Sequence, residues 1–145
     1  MAGFKRKGES IWNGGGKDGT GKLTSESGAI SGLAYSFAKR FGEEKGTNPE
    51  ELLAIAHAGC FNMALAFGLA GEGHAPEELR TTAEVSIEQE GGGFTIKTVA
   101  LKLRGKVPGL SADDFKKAAQ TAKENCPVSK LFKGAEITLD AELAS

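Results

Sequence analysis

The feature that most constrains how this chain can fold is the stretch Gly46–Phe61, GTNPEELLAIAHAGCF, together with the apolar run it opens. Asn48 is placed to cap a helix. Pro49 suits the first helical position, where a missing N–H costs nothing, and Glu50 and Glu51 suit the positive end of the helix dipole. From Leu52 to Ala70 the sequence is apolar nearly all round and rich in Ala and Gly, which predicts a buried helix that other backbone approaches closely. The run is nearly long enough to span a bilayer. His57, Asn62 and two glycines interrupt it and amphipathic strands lie on both sides, so it reads as a core helix rather than a membrane span. A chain of 145 residues suits one domain, 1–145, and a domain of that size hides about 70% of the surface its unfolded chain exposes.

The segments around this helix alternate. Phe4 to Trp12 and Lys22 to Ile30 flank the turn-rich NGGGKDGTG, which predicts two strands or a hairpin with a long loop. Within that loop, GKDGTGK matches a Walker A pattern up to its lysine, but Leu23 stands where a magnesium-binding Ser or Thr is needed. The segment KLTSESGAI also reads as a strand rather than a phosphate-binding helix, so a flexible loop is the better reading. Ser31 to Phe41 is short and aromatic, and the polar loop Gly42 to Thr47 separates it from the helix. Beyond the helix, Leu79 to Glu90 and Phe94 to Val107 form a predicted β-hairpin about Gly91–Gly93, with a phase slip between Ile96 and Val99 that predicts a bulge or a change of buried face. Ser111, Asp113 and Asp114 open a second helix that stops near Asn125, because Pro127 cannot continue it. Val128 to Phe132 is a further helical turn, and Ile137, Leu139, Ala141 and Leu143 alternate in a last strand. Two main helices among about six strands, in segregated order, indicate an α+β fold.

Eighteen basic and 19 acidic residues nearly cancel and are spread without a basic block, so neither nucleic acid nor anionic lipid is indicated as a partner. The N-terminal MAGFKRKGESIW has positive charge but no apolar run or cleavage site after it, which makes the cytoplasm the expected compartment. No metal site is evident, since Cys60 and Cys126 are far apart in sequence and His57 with Cys60 supplies only two ligands. His57 in an apolar helix reads first as a hydrogen-bonded core or interface residue.

Two cysteines in such a chain are either inert core thiols or a redox pair, and the residues alone leave both open. No other nucleophile motif is present. A reactive thiol must ionise, and Cys60 lies too far into its helix for the dipole to help, so it needs a nearby cation. Arg40 could supply one if the aromatic segment folds back, with Glu50 holding the guanidinium by bidentate pairing; a solvated surface charge is the plainer reading of Arg40. Cys126, immediately before Pro127, belongs at the start of the short last helix, with its sulfur near backbone N–H groups.

TNPEELLAIAHAGCF followed far downstream by AKENCPVSKLF resembles the OsmC/Ohr family, the osmotically inducible and organic hydroperoxide resistance proteins. The resemblance extends through the Trp12 strand, LTSESG, KRFGEEKGTNPEEL, the VPGLS turn and EITLDAEL. It implies an α+β fold forming an intertwined homodimer, with a cysteine peroxidase site at the subunit interface. Carried over by motif, Cys60 is similar to the peroxidatic cysteine, Cys126 to the resolving one, and Arg40 and Glu50 to the activating pair. The Ohr branch carries its Arg in a GGRDG turn, where this chain has GGGKDG with Lys17; Arg40 in the KRF run is similar to the OsmC branch. The implied activity is reduction of organic hydroperoxides through a Cys60 sulfenic acid and a Cys60–Cys126 disulfide. It needs no cofactor, and an external dithiol, for which the lipoyl type is one candidate class, would reopen the disulfide. A non-catalytic stress-response dimer that binds a hydrophobic ligand at its interface is the rival expectation.

Overall fold

In the computed structural model, which describes residues 3–144, the chain divides into two units, Met1–Leu52 and Leu53–Ser145.

The first unit carries a three-stranded antiparallel sheet, β1 (Gly8–Asn13), β2 (Thr20–Ser25) and β3 (Leu33–Tyr35), in the order β1-β2-β3. The glycine-rich loop joins β1 to β2, so Lys22 lies inside a strand and no helix N-terminus follows the loop to hold a phosphate. Trp12 and Tyr35 pack ring to ring at 5.3 Å across the sheet, and a Cβ at Gly21 would strike both rings. A one-turn helix, α1 (Phe37–Phe41), follows β3, capped by the Ser36 side chain accepting from the Lys39 N–H. Alternation alone left the structure of this aromatic stretch undefined.

Helix α2 (Pro49–Gly71) starts in the first unit and supplies the spine of the second. Asn48 caps it as predicted, its Oδ1 accepting from the Glu51 N–H at 2.8 Å. The second unit then builds a sheet in the order β4-β5-β6 from β4 (Glu78–Glu90), β5 (Gly93–Lys106) and β6 (Glu136–Leu143). β4 and β5 form the predicted antiparallel hairpin, whereas β6 returns parallel to β5 after α3 (Ala112–Asn125) and the short α4 (Pro127–Leu131). Such a parallel return requires a crossover, and the two helices provide it.

The phase slip appears as a bulge. Thr98 pairs with Ser86 and Ile96 with Ile87, leaving Lys97 as the extra residue. Val85 and Ile87 on β4 thereby share one face with Val99 and Ile96 on β5, and Ile137, Leu139 and Ala141 of β6 join it by register. That face, with Phe61, Leu65 and Leu69 from α2 and Phe115, Ala119 and Ala122 from α3, makes the core. Burying each of the large side chains fully contributes about 1.5–3 kcal/mol. Ser111 caps α3 through the Asp114 N–H. Gly105 leaves room for the Phe115 ring, whose Cζ lies 2.5 Å from where a Cβ would stand.

One expectation for α2 changes. The helix is long and apolar enough to cross a membrane, but it was expected to be buried. Only one side of it is, while Ile55, Met63 and Phe67 are 63, 62 and 73% exposed. With Gly59 they repeat every four residues and form an apolar stripe along the helix.

Candidate active site

Cys60 and Cys126 are 66 residues apart, yet both belong to the second unit and their sulfurs meet at 2.9 Å, Cys126 donating to Cys60. Both are free thiols. α2 supplies Cys60 one residue before the core anchor Phe61. Cys126 closes α3, its N–H donating to the Ala122 carbonyl, and also stands at the N-cap of α4, where Pro127 occupies the first turn. The proline therefore does two things: it ends α3 and fixes where the second sulfur sits.

Sequence reasoning gave the backbone donors of α4 to Cys126. The structure gives one of them to the other sulfur: the Val128 N–H bonds Cys60. That contact favours a thiolate on Cys60, but it does not win. Burial pushes the Cys60 thiol up, and the adjoining Cys126 thiol pushes the same way. Neighbours in the second unit therefore hold Cys60 as the protonated thiol at neutral pH.

Arg40 and Glu50, the other two predicted site residues, pair with each other in the first unit. Arg40, in the last turn of α1, donates from Nε to Glu50 Oε1 at 2.8 Å and from Nη2 to Oε2 at 3.0 Å, a bidentate pair. Glu50 is 9% exposed and Arg40 37%, so the carboxylate is the buried anchor and the guanidinium the accessible end. Its plane lies over the Phe41 ring, 4.9 Å from the centroid. Asn48 links the two elements, since its Nδ2 donates to the Lys39 carbonyl while its Oδ1 caps α2. The cap thus fixes Glu50 and the last turn of α1 together.

His57 is a satisfied core residue of the kind its position predicts, but its partner was not foreseen. It is fully buried, and Nε2 lies 2.7 Å from Ser129 Oγ on α4. Phe132 meets the ring edge-on at 5.2 Å. Burial lowers the His57 pKa, so the ring is neutral at neutral pH. Nδ1 has no hydrogen-bond partner. The ring's one proton is therefore satisfied only on Nε2, which makes His57 the donor and Ser129 the acceptor. The one signal for Ser129 was its place three residues after Cys126, matching His57 three before Cys60.

Among the described residues no group of three or more His, Cys, Asp or Glu side chains is gathered to hold a metal. A cleft of about 510 Å³ in the second unit, bordered by Ala64, Leu110, Asp114, Lys117 and Ala122, contains neither cysteine.

The OsmC family model, described as OsmC-like protein, matches residues 42–142. The chain is 47% identical over 140 residues to the Peroxiredoxin OsmC of Escherichia coli strain K12, with 97% of each chain covered. It is 34% identical over 100 residues to the organic hydroperoxide resistance protein OhrA of Bacillus subtilis strain 168, covering 67% of this chain and 68% of that one. Of the solved structures, the organic hydroperoxide resistance protein OhrB of Bacillus subtilis superposes with a TM-score of 0.71 at 26% identity, covering 97% and 98% of the two chains.

Proposed function

The chain belongs to the OsmC-like protein family, and from that membership we propose that it is a thiol peroxidase reducing organic hydroperoxides, with Cys60 as nucleophile and Cys126 as resolving thiol. The observation that carries this reading is the 2.9 Å contact between two free thiols brought from distant parts of the chain. Arg40, oriented by Glu50, is the cation that lowers the Cys60 pKa against burial and polarises the peroxide. The Cys60 thiolate attacks one peroxide oxygen, the O–O bond breaks, and the alkoxide leaves, taking up the proton that the thiol released. Cys60 becomes a sulfenic acid and the peroxide an alcohol. The Cys126 thiol then attacks the Cys60 sulfur; the S–S bond forms, the S–O bond breaks and water leaves. An external dithiol, of which lipoyl-type dithiols are the class implied by resemblance, reopens the disulfide by exchange and is itself oxidised. The compartment proposed is the cytoplasm, where dithiols are kept reduced.

The working form proposed is a homodimer. Its support is the apolar stripe of Ile55, Met63 and Phe67 on α2, large side chains that a monomer would leave in water. Sedimentation at micromolar concentration should give twice the 15.1 kDa of one chain; a single-chain mass would reject the dimer.

The peroxidase reading is tested by peptide mapping after one equivalent of cumene hydroperoxide is added to the reduced protein. The expected product is a Cys60–Cys126 disulfide with one equivalent of cumyl alcohol. Free thiols at both positions would reject the reading and leave the ligand-binding dimer in its place.

A further inference from the structure

The two cysteine-bearing segments touch at more than their sulfurs. His57 stands three residues before Cys60 on α2, and Ser129 three residues after Cys126 on α4. Their hydrogen bond spans 72 residues of sequence and is sealed from water, with His57 at 0% and Ser129 at 6% exposure. Phe132, at the end of α4, closes edge-on against the same ring. α4 has only five residues, too few to hold its own position by helical hydrogen bonding. Its placement relative to α2 therefore depends on side-chain contacts such as this one.

We propose that His57 and Ser129 are a positioning pair for disulfide closure: their buried hydrogen bond holds α4 against α2 so that Cys126 reaches the oxidised Cys60 sulfur ahead of a second peroxide. Neither residue touches peroxide in this scheme, and both act through Cys126. The inference rests on the peroxidase reading for its setting, but the positioning itself is independent of the oxidant.

Ser129→Ala removes the hydroxyl with little change of volume. In a single turnover with cumene hydroperoxide, alcohol release reports the first step, and the lifetime of a sulfenic acid trapped by a 1,3-diketone reports the second. Alcohol release should stay within about twofold of the parent protein. Disulfide closure should slow by about three- to tenfold, the typical worth of one intramolecular hydrogen bond. Under excess peroxide, sulfinic acid should then build up on Cys60. His57→Leu should repeat the effect, and Ser129→Thr, which keeps the hydroxyl, should close at nearly the parent rate. The proposal is overturned if Ser129→Ala closes as fast as the parent, if both steps slow equally, or if Ser129→Thr is as slow as the alanine variant. Closure driven by oxidised glutathione, through a mixed disulfide on Cys60, needs no peroxidase chemistry and should rank the variants identically. A parent protein that closes with glutathione but is inert to peroxide would sink the peroxidase reading while the variant ranking still decides the positioning role; an unranked set would overturn the positioning role whatever peroxide does.

Discussion

The Arg40–Glu50 pair and the Cys60–Cys126 pair are built in opposite ways. Among the described residues every fully buried large side chain, from His57 to Cys126, belongs to the second unit, where Cys60 lies against the packed core and burial works against its ionisation. In the first unit the buried residues are glycines, Thr47 and Glu50, while Ile11, Trp12 and Leu33 remain 37 to 55% exposed. Its charged pair is organised by a helix cap and a bidentate bond rather than by hydrophobic packing. The difference is instructive for a thiol enzyme. A core gives a cysteine precise placement and a dry environment, but the same dryness suppresses the thiolate. A guanidinium, in contrast, stays charged at little cost when it is part exposed and held by a carboxylate. The two pairs thus have different surroundings: Cys60 lies against the packed core of the second unit, and the Arg40 guanidinium is part exposed on the lightly packed first unit.

The largest effect expected from the proposed roles of the two pairs is at Arg40. Arg40→Ala should slow oxidation of Cys60 at neutral pH by roughly 10- to 100-fold, the worth of a charge-assisted contact. Burial holds the Cys60 pKa up, and the thiolate is the reactive form, so loss of the cation should move the pH–rate profile to higher pH and the deficit should shrink as the solution is made more alkaline. A profile that does not move would mean the guanidinium has no part in activating the thiol.

A smaller effect sharpens the contrast in packing. Gly105→Ala would set a Cβ 2.5 Å from Phe115 Cζ and 3.2 Å from Leu79 Cδ2, and Phe115 is fully buried with nowhere to move. A loss of about 1–3 kcal/mol in urea unfolding is expected. Gly21→Ala would also strike aromatic rings, those of Tyr35 and Trp12, but these lie outside the buried core and Trp12 is 37% exposed. Its cost should stay under about 1 kcal/mol, because the glycine's extra unfolded-state entropy is removed at the same time. Equal losses at the two glycines would show that the first unit is as tightly packed as the second.

Much of this fold is legible in local sequence. The Asn48 and Ser111 caps, the stop before Pro127, the hairpin about Gly91–Gly93 and the bulge at Lys97 all follow from local rules, since each is decided by residues a few positions apart. The membership of Cys60, Cys126, Arg40 and Glu50 in one set came from resemblance to a family. The pairing of Arg40 with Glu50 was only one of two open readings, because a ten-residue separation through a polar loop says little about distance.

The features that were not legible depend on contacts between distant segments. Alternation assigned β6 its strand but not its parallel pairing with β5, which the α3–α4 crossover decides. Composition made α2 look buried all round. The sheet can cover only one of its sides, and that limit left Ile55, Met63 and Phe67 outside. The Val128 N–H, in the first turn of α4, bonds Cys60 of α2, a contact between distant segments that no local pattern supplies. By itself, then, the sequence determined the two main helices with their caps, the β4–β5 hairpin and the last strand, and which residue types are available for thiol chemistry, all of which are matters of local propensity and capping. Only the tertiary structure decided that two thiols 66 residues apart touch, that His57 meets Ser129, and that burial pushes the Cys60 thiol up. Distances and desolvation belong to packing, and no period or motif encodes them.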